Sequence, residues 1–118
     1  MYDKMVQIAL LFDFYGQLLT EKQIEIVDMH YNDDLSLSEI SEQFGISRQG
    51  VYDTLKRAEK TLFDYEEKLG LVNRFIEQKE SFKNINHKLD EILNDSNIDI
   101  DDVRLKLRAV KEYVSGLL

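Results

Sequence analysis

The sequence predicts an all-α protein, and three observations carry that prediction. There is no proline and there are only five glycines, so little interrupts a helix. Leu, Ile, Glu, Lys and Asp dominate the composition. Apolar residues recur at three- and four-residue spacing along the chain, the period of a helix buried on one side.

The first helix is expected over residues 2–15. Met5, Ile8, Ala9, Phe12 and Tyr15 form one stripe, while Val6, Leu10, Leu11 and Phe14 make the remaining faces apolar as well. A helix apolar on most sides is buried on most sides. It sits either in a groove between other helices or against a second partner. Thr20 then reads as an N-cap, with Gln23 completing a capping box. Ile24, Val27 and Tyr31 form the inner face of this second helix, and Asn32, Asp33 and Asp34 end it in a polar turn.

Ser36 and Glu39 form another capping box at the start of a third helix, in which Leu37, Ile40 and Phe44 point inward. Gly45 follows where the chain needs a left-handed residue to turn out. Ile46 plugs the core beneath the turn, and Ser47 caps a fourth helix that Val51 and Leu55 bury against the third. These positions define a helix-turn-helix without a wing.

Val51, Leu55, Ala58, Leu62, Tyr65, Leu69, Val72 and Ile76 continue as a heptad seam through Gly70, where a bend or break is expected. A further helix runs to about Leu93 with Phe75, Phe82, Ile85, Leu89 and Ile92 inward. After the polar stretch "NDSNIDIDD", Asp99 to Asp102 place negative charge at the start of a last helix. Ile100, Val103, Leu107, Val110, Val114 and Leu117 make its heptad. Two heptad segments joined by a short turn predict an antiparallel hairpin or a dimer interface built from one. The expected division is a helix-turn-helix domain over residues 1–62 and a helical extension over 63–118 for packing or dimerisation.

Composition excludes several functions. The chain has 118 residues and no cysteine, so disulfides, thiolate metal sites and cysteine nucleophiles are absent from it. The longest apolar run, residues 6–12, is far shorter than the roughly 20 residues that span a bilayer, and its flanks are not those of a signal peptide. A soluble, cytoplasmic protein without membrane insertion is expected. His30 and His87 each stand alone on a helix, and the Asp33–Asp34 and Asp101–Asp102 pairs fit caps and turns better than an ion site. No phosphate loop is present. Neither an enzyme nor a cofactor is expected.

The exposed side of the fourth helix would carry nucleic-acid contacts. Arg48 suits guanine and Gln49 suits adenine, each in bidentate fashion, with Tyr52, Asp53 and Lys56 beside them and Ser47 at the helix start. Lys56, Arg57 and Lys60 suit phosphates. The chain carries 15 basic and 23 acidic side chains, a net charge of −8. Residues 35–60 hold four of each sign, whereas residues 1–34 hold two basic and seven acidic, and residues 61–118 nine basic and twelve acidic. The helix-turn-helix is thus the least acidic part of the chain without being a basic patch. Since duplex affinity comes largely from phosphate neutralisation, a single copy should bind DNA weakly.

The run "LLTEKQIEIVDMHYNDDLSLSEISEQFGISRQGVYDTLKRAEKTL", residues 18–62, resembles the promoter-reading fourth region of bacterial sigma factors. Over its whole length, with "YGQLLTEKQ", "SLSEISEQFGISRQGVYDTLKRAEK" and an acidic helical tail, the chain is similar to the YlxM family of small Gram-positive proteins. Members of that family are encoded beside signal recognition particle components and described as DNA-binding regulators of that pathway. The resemblance implies a recognition helix from Ser47 to about Lys60, with Arg48, Gln49, Tyr52 and Lys56 as contacts. Two functions follow as expectations. One is a homodimeric DNA-binding regulator that places two recognition helices in successive major grooves. The other is an interaction module that binds a protein or RNA of the particle and does not read DNA.

Overall fold

A computed structural model describes residues 3–118 and shows six α-helices, with no strand among the described residues. They are α1 (Lys4–Tyr15), α2 (Glu21–Tyr31), α3 (Leu37–Phe44), α4 (Arg48–Leu69), α5 (Leu71–Leu93) and α6 (Ile100–Leu117). A 3-10 turn, Gly16–Leu18, joins α1 to α2. The expected start of the first helix at Tyr2 lies outside the described residues. No helix among them is long and apolar enough to cross a membrane.

Caps set the helix starts. Asp3, Thr20, Ser36, Ser47 and Asp99 each accept a backbone N–H from the first turn, and Thr20–Gln23 and Ser36–Glu39 are complete capping boxes. The ends of α3 and α4 are set by Gly45 (φ 67°) and Gly70 (φ 64°), both left-handed. Gly70 therefore breaks the long heptad, as expected, and α5 begins one residue later.

The chain divides into two compact units, one ending at Asn73 and one from Arg74 to Leu118. The edge falls at residue 73 rather than at 62 because α4 runs on unbroken to Leu69 and Val72 is itself buried. In the first unit α4 is the hub, packed against α1, α2 and α3. Ile8, Leu11, Tyr15, Ile26, Val27, Ile40, Val51, Leu55, Ala58 and Leu62 are buried there. Each large aliphatic side chain so buried contributes about 1.5–3 kcal/mol.

Two expected faces are corrected. On α1, Met5 and Ala9 are exposed and Leu11 is buried instead, so the inner stripe reads Ile8, Leu11, Tyr15 and then Leu19. An almost wholly apolar helix does not encode which side turns inward; its packing on α4 decides that. On α2, Ile26 is fully buried beside Val27, while Ile24 is only half-buried. The helix packs on both α3 and α4, so two adjacent residues find cover.

In the second unit, residues 74–93 of α5 and α6 form an antiparallel hairpin. Asn84 Nδ2 donates to Tyr113 Oη at 3.1 Å, and Lys88 lies over the Tyr113 ring. Nearer the turn, Lys106 lies 3.9 Å from Asp95. Ile85, Leu89, Ile92, Val103 and Val114 are half-buried and Val110 is buried. Phe75 and Phe82, expected inward, are exposed, and so are Ile100, Leu107 and Leu117 of the last heptad. The two seam residues beyond Gly70 are nevertheless covered, Val72 buried and Ile76 half-buried.

Candidate nucleic-acid interface

The turn between α3 and α4 is built locally. Gly45 donates its N–H to the Ser41 carbonyl, and Ser41 Oγ donates to the Ile46 carbonyl at 2.7 Å. Ser47 Oγ accepts the Gly50 N–H at 3.0 Å. Ile40 and Val51, both fully buried, lock the two helices together across the turn. α4 is thereby held with its outer side in solvent.

On that side Arg48, Tyr52 and Lys56 stand four residues apart and form one exposed stripe. Gln49, Asp53, Arg57 and Lys60 are exposed as well. The structure thus brings all eight expected residues onto the helix, but not in equal condition. The Ser47 hydroxyl oxygen is committed to the cap. Gln49 Nε2 donates to Asp53 Oδ1 at 3.0 Å, which holds the amide that adenine would need. Lys60 lies 2.8 Å from Asp64, and the neighbouring carboxylate raises its pKa. Lys56 sits 3.5 Å from Glu59 and 5.5 Å from the Tyr52 ring centroid; the Glu59 charge raises its pKa. Arg48 and Arg57 make no ion pair among the described residues.

Three residues of this surface were not anticipated. Glu59 is a buried carboxylate in the wall between α4 and its neighbours. A buried carboxylate needs partners, and it has three. Tyr31 Oη donates to Oε2 at 2.7 Å, while Lys56 and Lys4 each lie 3.5 Å from Oε1. Burial, then the bond to Glu59, push the Tyr31 hydroxyl pKa far above its ordinary value, so it remains a donor. Two ammonium groups from α1 and α4 therefore converge on one oxygen, and the outer parts of both side chains are in solvent. The Lys56–Glu59 spacing of three is a signal visible in the sequence. Lys4 and Tyr31 arrive through tertiary packing and leave none.

The residues singled out elsewhere have structural roles. His30 Nδ1 lies 3.0 Å from the Leu35 carbonyl, and His87 lies 3.1 Å from Glu91. Asp34 holds a left-handed turn position (φ 56°), and Asp101 and Asp102 occupy the first turn of α6. No three metal-binding side chains converge among the described residues.

A short helix and a longer one around a left-handed glycine, with the second capped by serine and exposed along a polar stripe, define a helix-turn-helix protein. The family model UPF0122, described as "Putative helix-turn-helix protein, YlxM / p13 like", matches residues 2–103. The chain belongs to this family. A UPF0122 protein of Acetivibrio thermocellus is 46% identical over 122 residues, covering 98% of this chain and 97% of the relative. One from Thermoanaerobacter sp. is 58% identical over 92 residues, covering 78% and 73%. One from Desulforamulus reducens is 52% identical over 84 residues, covering 71% and 72%.

Proposed function

We propose that this protein is a DNA-binding regulator that acts as two copies and reads duplex DNA with α4. The observation that supports this most is the exposed Arg48–Tyr52–Lys56 stripe beginning at the capped end of the helix. Arg48 is free to form a bidentate bond with guanine, and Tyr52 offers apolar contact to a neighbouring base. Gln49 reaches adenine once it leaves Asp53. Lys56, Arg57 and Lys60, joined by Lys4, serve the phosphates. With so few phosphate contacts per copy, a second copy is needed for useful affinity.

Fluorescence anisotropy with short labelled duplexes tests this reading. Affinity should fall steeply with salt, and Arg48→Ala should cost about 1–3 kcal/mol on a preferred sequence. An unchanged affinity in Arg48→Ala would remove the base-reading role of α4.

A second reading has its own support. Lys4, Lys56 and Lys60 already face carboxylates of their own protein, and the chain carries −8 overall. That suits an interaction module of the signal recognition particle pathway that binds a protein or RNA of the particle and leaves DNA alone. Arg48→Ala separates the two readings: particle binding that survives it, without measurable duplex binding, selects the second.

A further inference from the structure

The α5–α6 hairpin has an unfinished core. Among the described residues from Arg74 onward only Val110 is buried, at 9% exposure. A two-helix hairpin this small does not bury enough apolar surface to offset its chain entropy. Its polar contacts, Asn84 and Lys88 with Tyr113, all lie on one side. Helical periodicity places Phe82 and Leu93 of α5 and Ile100 and Leu107 of α6 on the opposite side, where they are 44–80% exposed. One face of the hairpin is thus open and largely apolar, with the exposed Arg104 and Lys111 on the α6 stripe.

Its charge says what covers that face. Residues 90–102, around the turn, hold six carboxylates and no basic residue. Residues 74–88 and 103–118, the remainder of the unit, hold eight basic and three acidic side chains. A hairpin negative at the turn and positive over the rest of its length complements an identical hairpin laid antiparallel to it. A parallel arrangement would set the two acidic turns together.

We propose that the α5–α6 hairpin closes its core against the same hairpin of a second copy, antiparallel, as a four-helix bundle with each acidic turn against the other's basic end. This deepens the two-copy reading above and rests on it. Lys79 and Lys83 flank the open face near the basic end, and Asp90 and Glu91 lie near the turn.

Light-scattering mass across a dilution series tests the proposal on the full chain. The native protein should be a dimer that high salt weakens. Lys79→Glu with Lys83→Glu should weaken the dimer about tenfold at low salt. Adding Asp90→Lys and Glu91→Lys to the same chain should restore it, because each end again meets its opposite. Phe82→Asp with Leu107→Asp should abolish it. A native monomer at about 100 µM, roughly a hundredfold above a micromolar Kd, overturns both this proposal and the two-copy reading. A dimer that neither the charge reversals nor Phe82→Asp with Leu107→Asp disturbs overturns this proposal alone, and the two-copy reading then requires another face.

Discussion

The Tyr15 hydroxyl donates a 2.6 Å hydrogen bond to Glu66 Oε1 and accepts the Leu71 N–H at 3.1 Å. Glu66 in turn accepts the amides of Val72 and Asn73, each at 3.0 Å. α5 begins directly after Gly70 with no residue of its own in the cap position, and a carboxylate from the preceding helix and a phenol from α1 supply the missing acceptors. Burial tends to raise the Glu66 pKa, but these hydrogen bonds outweigh it and hold the pKa below the ordinary value. Burial, then the bond to Glu66, raise that of Tyr15.

Glu66→Gln should destabilise the first unit by about 1.5–3 kcal/mol, the range for hydrogen bonds to a charged group. Urea unfolding measures it. Because the folded pKa of Glu66 is lowered, its stabilisation is present above the unfolded carboxylate value, near 4.5, and is lost as pH falls through the folded value. The difference between native and variant stability should therefore be constant near neutrality and shrink below about pH 4. A gap that persists in acid would mean that the charge is not what caps α5. Tyr15→Phe removes both a donor and an acceptor from the same knot and should cost a similar amount.

Glu59→Gln should shift stability and binding in opposite directions. It removes the counter-charge held between Lys4 and Lys56, leaving both ammonium groups for a polyanion, and should strengthen nucleic-acid binding several-fold. The buried site loses about 1–3 kcal/mol of stability. Anisotropy and urea titration read the two effects separately. Lys4→Ala on the native background should weaken nucleic-acid binding, and no effect would confine Lys4 to an intramolecular role.

Gly45→Ala should cost about 1–2 kcal/mol, although a Cβ there would meet nothing within 4 Å. The cost is entirely that of a left-handed backbone. Gly45→Asn should recover part of it, since asparagine tolerates that region better. Gly16→Ala is a different case, because its Cβ would come within 3.0 Å of the Phe12 ring and force that ring to move. Thermal unfolding should rank Gly45→Asn above Gly45→Ala.

The parts of this molecule that are legible in its sequence are those made by near neighbours. Thr20 with Gln23, Ser36 with Glu39, Ser47 with Gly50 and the left-handed turn at Gly45 all close within three residues, and each stands as the sequence predicts. Tyr15 with Glu66 spans 51 residues and Tyr31 with Glu59 spans 28. No spacing rule announces such pairs. The face of α1 was illegible for the opposite reason, because an apolar surplus supports several stripes at once. Phe75 and Phe82, placed inward with Ile85, Leu89 and Ile92, are exposed because helical spacing there supports more than one apolar stripe and the hairpin covers only that of Ile85, Leu89 and Ile92.

Gln49 with Asp53, Lys56 with Glu59 and Lys60 with Asp64 give α4 resident counter-ligands. A phosphate or base edge that approaches Gln49, Lys56 or Lys60 must displace one of the protein's own carboxylates, so attraction alone yields little there. Only a target that supplies several replacements together makes the exchange favourable. On the DNA-reading role proposed above, the acidic residues act as a threshold for commitment, and discrimination resides as much in what α4 refuses as in what it grips.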